Sequence, residues 1–134
     1  MLGLYADHGT TYLTVLMTVT TLSFALPIFV APLTWARLML WRVPAETDLA
    51  VYFGRCLGAF ILIVELLMLR AVTTGTGLTY AFDVLFCVFL LMLAVHAYGA
   101  LRRIQPVTET LEIGLWAFLL VCNTVFYPAT ALVL

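Results

Sequence analysis

One stretch constrains this chain more than any other. Residues 9–36 contain no Lys, Arg, Asp or Glu. That is longer than the run of about 20 apolar residues that crosses a bilayer as a helix. A helix of this kind cannot be a surface element of a soluble domain, because it has no polar face to offer water.

Composition extends the argument to the whole chain. Of its 134 residues, 65% are apolar and 10% are charged, with a mean hydropathy of +1.15. Soluble domains lie near roughly 45–50% apolar and 25% charged. A small soluble fold has too much surface for its volume to hide so much apolar area, so lipid must cover it. The net charge is −1, with six Arg, no Lys and seven acids. No basic face exists, which excludes nucleic-acid partners. Cys56, Cys87 and Cys122 stand singly, without the paired spacing of a disulfide framework or a cysteine metal cluster. No metal centre is expected. The N-terminus has no Lys or Arg ahead of its apolar run, so it reads as a retained first helix rather than a cleaved signal peptide.

Hydropathy and breakers predict an all-α, four-helix transmembrane bundle forming one domain over residues 1–134. The predicted spans are about 11–31, 48–70, 78–101 and 110–127. Pro27 removes one backbone donor near the end of the first span and should loosen the Ser23 carbonyl. Pro32 can open a short new helix. Residues 32–43 mix Trp35, Leu38, Leu40 and Trp41 with Arg37 and Arg42, which suits a segment lying in the interface plane. Thr47 or Asp48 can cap the second helix. The run Thr73-Thr74-Gly75-Thr76-Gly77 predicts a tight turn. Thr108 or Thr110 opens the fourth helix, and Pro128 with a short apolar tail ends the chain. The loops are too short for a folded domain outside the membrane, and short connections favour antiparallel neighbours.

Charge sets the expected orientation. Arg37, Arg42, Arg102 and Arg103 fall in the first and third loops, against Arg70 alone near the second. The positive-inside rule places loops 32–47 and 102–109 on the cytoplasmic side, or its organellar equivalent, with both termini outside. The setting is a bacterial inner membrane or an organellar membrane. Tyr5, Tyr12, Tyr80 and Tyr127 fall near outer helix ends, and Tyr52, Tyr98, Trp35, Trp41 and Trp116 near inner ends, as interfacial belts do.

Ionisable residues inside a membrane are costly and each is a functional candidate. Arg55, Glu65, Asp83 and His96 qualify, and Asn123 is the strongly polar side chain of the fourth helix. Arg55 and Glu65 differ by roughly 80° around the helix and share a broad face directed into the bundle or a partner. Glu65 and Asp83 fall at similar depth on adjacent helices. Two close carboxylates could share a proton and make a proton- or cation-linked site. The plainer reading gives each a hydroxyl, Arg70 or interfacial water. His96 could hydrogen-bond a quinone, or simply be satisfied by backbone or solvent. Haem is not expected, because the other histidine, His8, lies at the opposite face. Thr11, Thr14, Thr18 and Thr21 form a stripe whose hydroxyls bond across helices or fold back on their own. Gly54 and Gly58 form a small-xxx-small pair that permits close helix approach.

No H-E-x-x-H, G-x-S-x-G or phosphate loop is present. The pattern Ala31-Pro32, Trp35-Ala36-Arg37, Pro44, Tyr52-Phe53-Gly54-Arg55-Cys56-Leu57-Gly58 and Leu69-Arg70-Ala71 resembles the DoxX-like superfamily of small four-helix membrane proteins. That resemblance covers about a third of the chain, and it makes Arg55 the family's arginine. Some DoxX-like proteins are similar to the membrane subunit of thiosulfate:quinone oxidoreductase, and others accompany larger redox enzymes. The run His96-Ala97-Tyr98-Gly99-Ala100-Leu101-Arg102 also resembles the His…Gly…Arg run of succinate dehydrogenase anchors, with different spacing.

Three functions remain open. The first expectation is a non-catalytic accessory subunit of a larger, redox-linked membrane complex, without catalytic activity of its own. The second is a quinone-linked oxidoreductase component using Arg55 and His96. The third is a small proton-coupled carrier using Glu65 and Asp83 and acting as an oligomer. The expected partners are membrane lipids with other subunits or further copies of the chain, and quinone or lipid is the expected bound molecule.

Overall fold

A computed structural model describes residues 2–128. Met1 and the apolar tail after Pro128 lie outside them. Every element among the described residues is helical. Helix α1 runs Ala6–Val30, α2 Pro32–Leu38, α3 Asp48–Thr74, α4 Leu78–Arg102 and α5 Val107–Val125. Helices α1, α3 and α4 are long and apolar enough to cross a membrane, and the chain is an integral membrane protein.

Local sequence explains the breaks. Within α1, residues Thr21–Ala25 widen into one π turn just ahead of Pro27. The Ser23 carbonyl, four residues before Pro27, is taken instead by the Trp35 indole Nε1 at 3.1 Å. Pro32 stands in the first turn of α2, where a missing N–H costs nothing. Thr47 occupies the N-cap position of α3 without a side-chain cap bond. Gly75 and Gly77, with φ of +69° and +78°, supply the left-handed turn between α3 and α4. Arg103 ends α4 in the same region, with φ +55°. Its N–H and that of Ile104 close back on the Ala100 and Gly99 carbonyls, satisfying helix-end acceptors. The extended Pro106 then starts α5 at Val107, just ahead of both threonines.

The second half of α1 lies on α3, and α4 pairs closely with α5. A Cβ on Gly58 would stand 2.6 Å from the Phe29 backbone nitrogen, and one on Gly54 would stand 2.6 Å from the Pro32 Cβ. The small-xxx-small pair is therefore the seam where α3 meets α1 and α2. The apolar core, built around Leu13, Leu16, Met68, Phe82, Leu85 and Phe89, fills the end of the bundle nearest the Gly75–Gly77 turn. At that end the N-terminal strand of chain is tied to α5, with Gly3 and Tyr5 N–H donating to the Thr124 and Val125 carbonyls at 2.9 Å. The opposite end, where α2 and the loop after α4 lie, holds the buried His96, Glu109 and Glu112.

Candidate functional site

Helix α5 begins with Glu109 and Glu112, three residues apart, and Trp116 follows four residues later. That spacing places all three on one helix face. The short loop after Arg103 folds this face back onto α4, where His96 meets it. The His96 Nε2 lies 3.0 Å from Glu109 Oε2 and 3.3 Å from Glu112 Oε2. Its Nδ1 stands 2.7 Å from the Met92 carbonyl. A carbonyl can only accept, so Nδ1 carries a hydrogen and Nε2 faces the carboxylates. His96 is 4% exposed, and the two glutamates 9% each.

The loop before α3 completes the arrangement. Trp41 Nε1 donates to the other Glu109 oxygen at 2.7 Å. Thr108 Oγ1 donates to the Met39 carbonyl and holds that loop against the start of α5. Trp116 stands halfway along α5 with its ring 5.8 Å from the imidazole and 6.0 Å from Phe89. It is an interior residue and not the inner-interface belt residue that its sequence position suggested.

A cavity of about 280 Å³ opens between the helices above this cluster. Its walls are apolar and aromatic, among them Phe24, Trp35 and Met92. His96, Glu109 and Glu112 line one part of it, and Glu65 another. Glu65 is buried, with one carboxylate oxygen accepting from Thr20 at 2.9 Å and the other from Thr21 at 2.8 Å. Thr21 is thus the member of the threonine stripe that bonds across helices. Thr14 and Thr18 fold back onto the carbonyls of Thr10 and Thr14.

Of the residues singled out from sequence, the cavity gathers His96 and Glu65 and leaves the others apart. Arg55 is exposed on the flank of α3, in a groove with Asp48 and Tyr52. It does not share the inward direction of Glu65. Asp83 is exposed and accepts from the Tyr127 hydroxyl at 2.8 Å, so Glu65 and Asp83 each find hydroxyls. Asn123 is fully buried and donates to the Phe82 carbonyl at 3.0 Å, tying α5 to α4.

Glu109, Glu112 and Trp41 were not anticipated. Starting the fourth helix at residue 110 leaves Glu109 in a loop, where acids need no explanation. The available signal was the Glu-x-x-Glu spacing opening an apolar helix opposite an intramembrane histidine. Compared with protein-family models, curated proteins and solved structures, the chain matches none. The DoxX-like resemblance therefore rests on the residues quoted for it alone.

Proposed function

We propose that this protein crosses the membrane four times, with both termini outside, and binds a quinol-type molecule drawn from the bilayer. We read it as a small membrane component of a redox-linked assembly without catalytic activity of its own. The α5 helix has 19 residues, or roughly 28 Å at 1.5 Å per residue, close to the hydrocarbon thickness of about 30 Å. The four loop arginines at the α2 end support that end as the cytoplasmic one.

The observation that carries the binding reading is the cavity itself, apolar and aromatic along its length and closed by the His96–Glu109–Glu112 cluster. Apolar walls with a few convergent polar groups are the ordinary make-up of a small-molecule site. A flat ring packs well against aromatic walls. Its hydroxyl is the kind of donor that carboxylates accept.

Trp35, Trp41 and Trp116 all line the cavity, so their fluorescence reports occupancy. Titrating the detergent-purified protein with a short-chain quinol analogue, kept reduced under argon, should give saturable quenching. Val88→Phe, which fills the cavity from α4, should abolish saturation. Linear, unsaturable quenching in the unaltered protein would sink the reading. Extraction of the native protein should also release quinone, and co-purifying proteins would identify the assembly.

A further inference from the structure

We infer that His96, Glu109 and Glu112 form a binding site for one divalent first-row metal ion at the base of the cavity. The inference is independent of the quinol reading.

Geometry comes first. One ligand atom from each of His96, Glu109 and Glu112 lies within 4.8 Å of the other two. Two ligands about 2.1 Å from one ion are separated by roughly 3.0 Å at a right angle and 3.4 Å at a tetrahedral angle. The separations from Nε2, 3.0 and 3.3 Å, fall on that scale. The imidazole is already oriented for ligation, since Nδ1 is held by the Met92 carbonyl and Nε2 is left facing the carboxylates. Metal-bound histidines characteristically hold their second nitrogen this way, and ligating carboxylates are themselves hydrogen-bonded. Trp41 supplies the second kind of contact to Glu109.

Charge balance points the same way. Among the described residues, the ion pairs of these glutamates are those with His96 alone. Two carboxylates against one imidazolium leave a buried excess of negative charge, which a low-dielectric site strongly disfavours. Two carboxylates, a neutral imidazole and a dication sum to zero.

A further group at the site lacks a well-aligned partner. Trp116 Nε1 is buried without a hydrogen bond of good geometry; it lies close to the Glu112 carboxylate, with its ring beside the imidazole. A water or substrate oxygen on the ion's open position would give that donor a well-aligned acceptor. Three protein ligands with a free position facing a cavity is the arrangement of an open metal site. One nitrogen and two carboxylate oxygens suit Mn²⁺, Fe²⁺, Co²⁺ or Zn²⁺ over softer ions.

The test uses the full chain in mild detergent, stripped with chelator and titrated with Co²⁺ in the absence of quinone. Co²⁺ should bind one to a chain and develop visible d–d absorption. Elemental analysis after loading with Zn²⁺ should give the same stoichiometry. Trp41→Phe should weaken binding roughly 10–100-fold, as loss of an outer-shell partner does, and His96→Gln or Glu112→Gln should weaken it further. Asp83→Asn, which removes an exposed carboxylate outside the cavity, should bind as the unaltered protein does. A stripped, helical, unaltered protein with no saturable Co²⁺ spectrum would overturn the inference, and so would a folded Glu112→Gln that binds normally. Neither result bears on tryptophan quenching by quinol, so the two readings fail separately.

Discussion

Trp35 donates its indole N–H to the Ser23 carbonyl across 3.1 Å. The two residues belong to different helices, and Pro27 is the reason they meet. Pro27 has no N–H for the carbonyl four residues behind it. An unpaired carbonyl facing lipid is expensive, because no water is present to take it. The turn after Val30 brings α2 back alongside α1, and the indole fills the vacancy.

Trp35→Phe should therefore destabilise the protein by about 0.5–1.5 kcal/mol, the net worth of one hydrogen bond. The cost should shrink in a Pro27→Ala background, where residue 27 regains an N–H for Ser23. Reversible unfolding of all four variants in mixed micelles measures the coupling. Equal costs in both backgrounds would refute the pairing.

Close approach at the α1–α3 seam makes a second prediction. A Cβ at Gly58 overlaps backbone atoms of Phe29, which cannot rotate away. Gly58→Ala should cost about 1–3 kcal/mol through overpacking. Gly114 meets nothing within 4 Å, so Gly114→Ala should gain up to about 1 kcal/mol from helix propensity. The same micelle unfolding assay compares the two.

Glu65 and its two threonines behave as a unit. Thr21→Val removes a hydrogen bond to a buried carboxylate and should cost about 1.5–3 kcal/mol. Adding Glu65→Leu and Thr20→Val should recover most of that loss, because no unpaired polar group then remains. Thermal inactivation that worsens in the triple variant would contradict this account.

Orientation is open to chemical labelling. In a background freed of Cys56, Cys87 and Cys122, Thr76→Cys should react with an impermeant maleimide on intact cells. Glu46→Cys should react only after permeabilisation. The opposite pattern would invert the proposed topology.

Much of the fold was legible along the chain. The uncharged run through residues 9–36 dictated a membrane helix. The glycines at 75 and 77 marked the tight turn, and Pro27 and Pro32 marked the breaks in their proper places. These are local constraints, set by backbone chemistry and by hydropathy over a single helix. The Gly54–Gly58 spacing was visible too, although only the packed structure shows which backbone it admits.

The site was legible only in part. His96 and Glu65 stood out because each charge is isolated in an apolar run. Glu109 did not, because a helix beginning at residue 110 leaves it in a loop, and Glu112, two residues inside that helix, reads as an acid near the membrane surface. The inward or outward direction of Arg55 was equally hidden, since helical periodicity orders residues around an axis without saying which sector faces a neighbour.

By itself, then, the sequence determined that this chain lives in a membrane as apolar helices, because hydropathy and backbone satisfaction act locally and admit no other solution. Which polar groups meet was decided by tertiary structure. The joining of His96 to Glu109, thirteen residues away, depends on how α5 folds back on α4 and on the rotation of each helix about its axis. Those quantities follow from the packing of α5 on α4 and from the core, and no single segment encodes them.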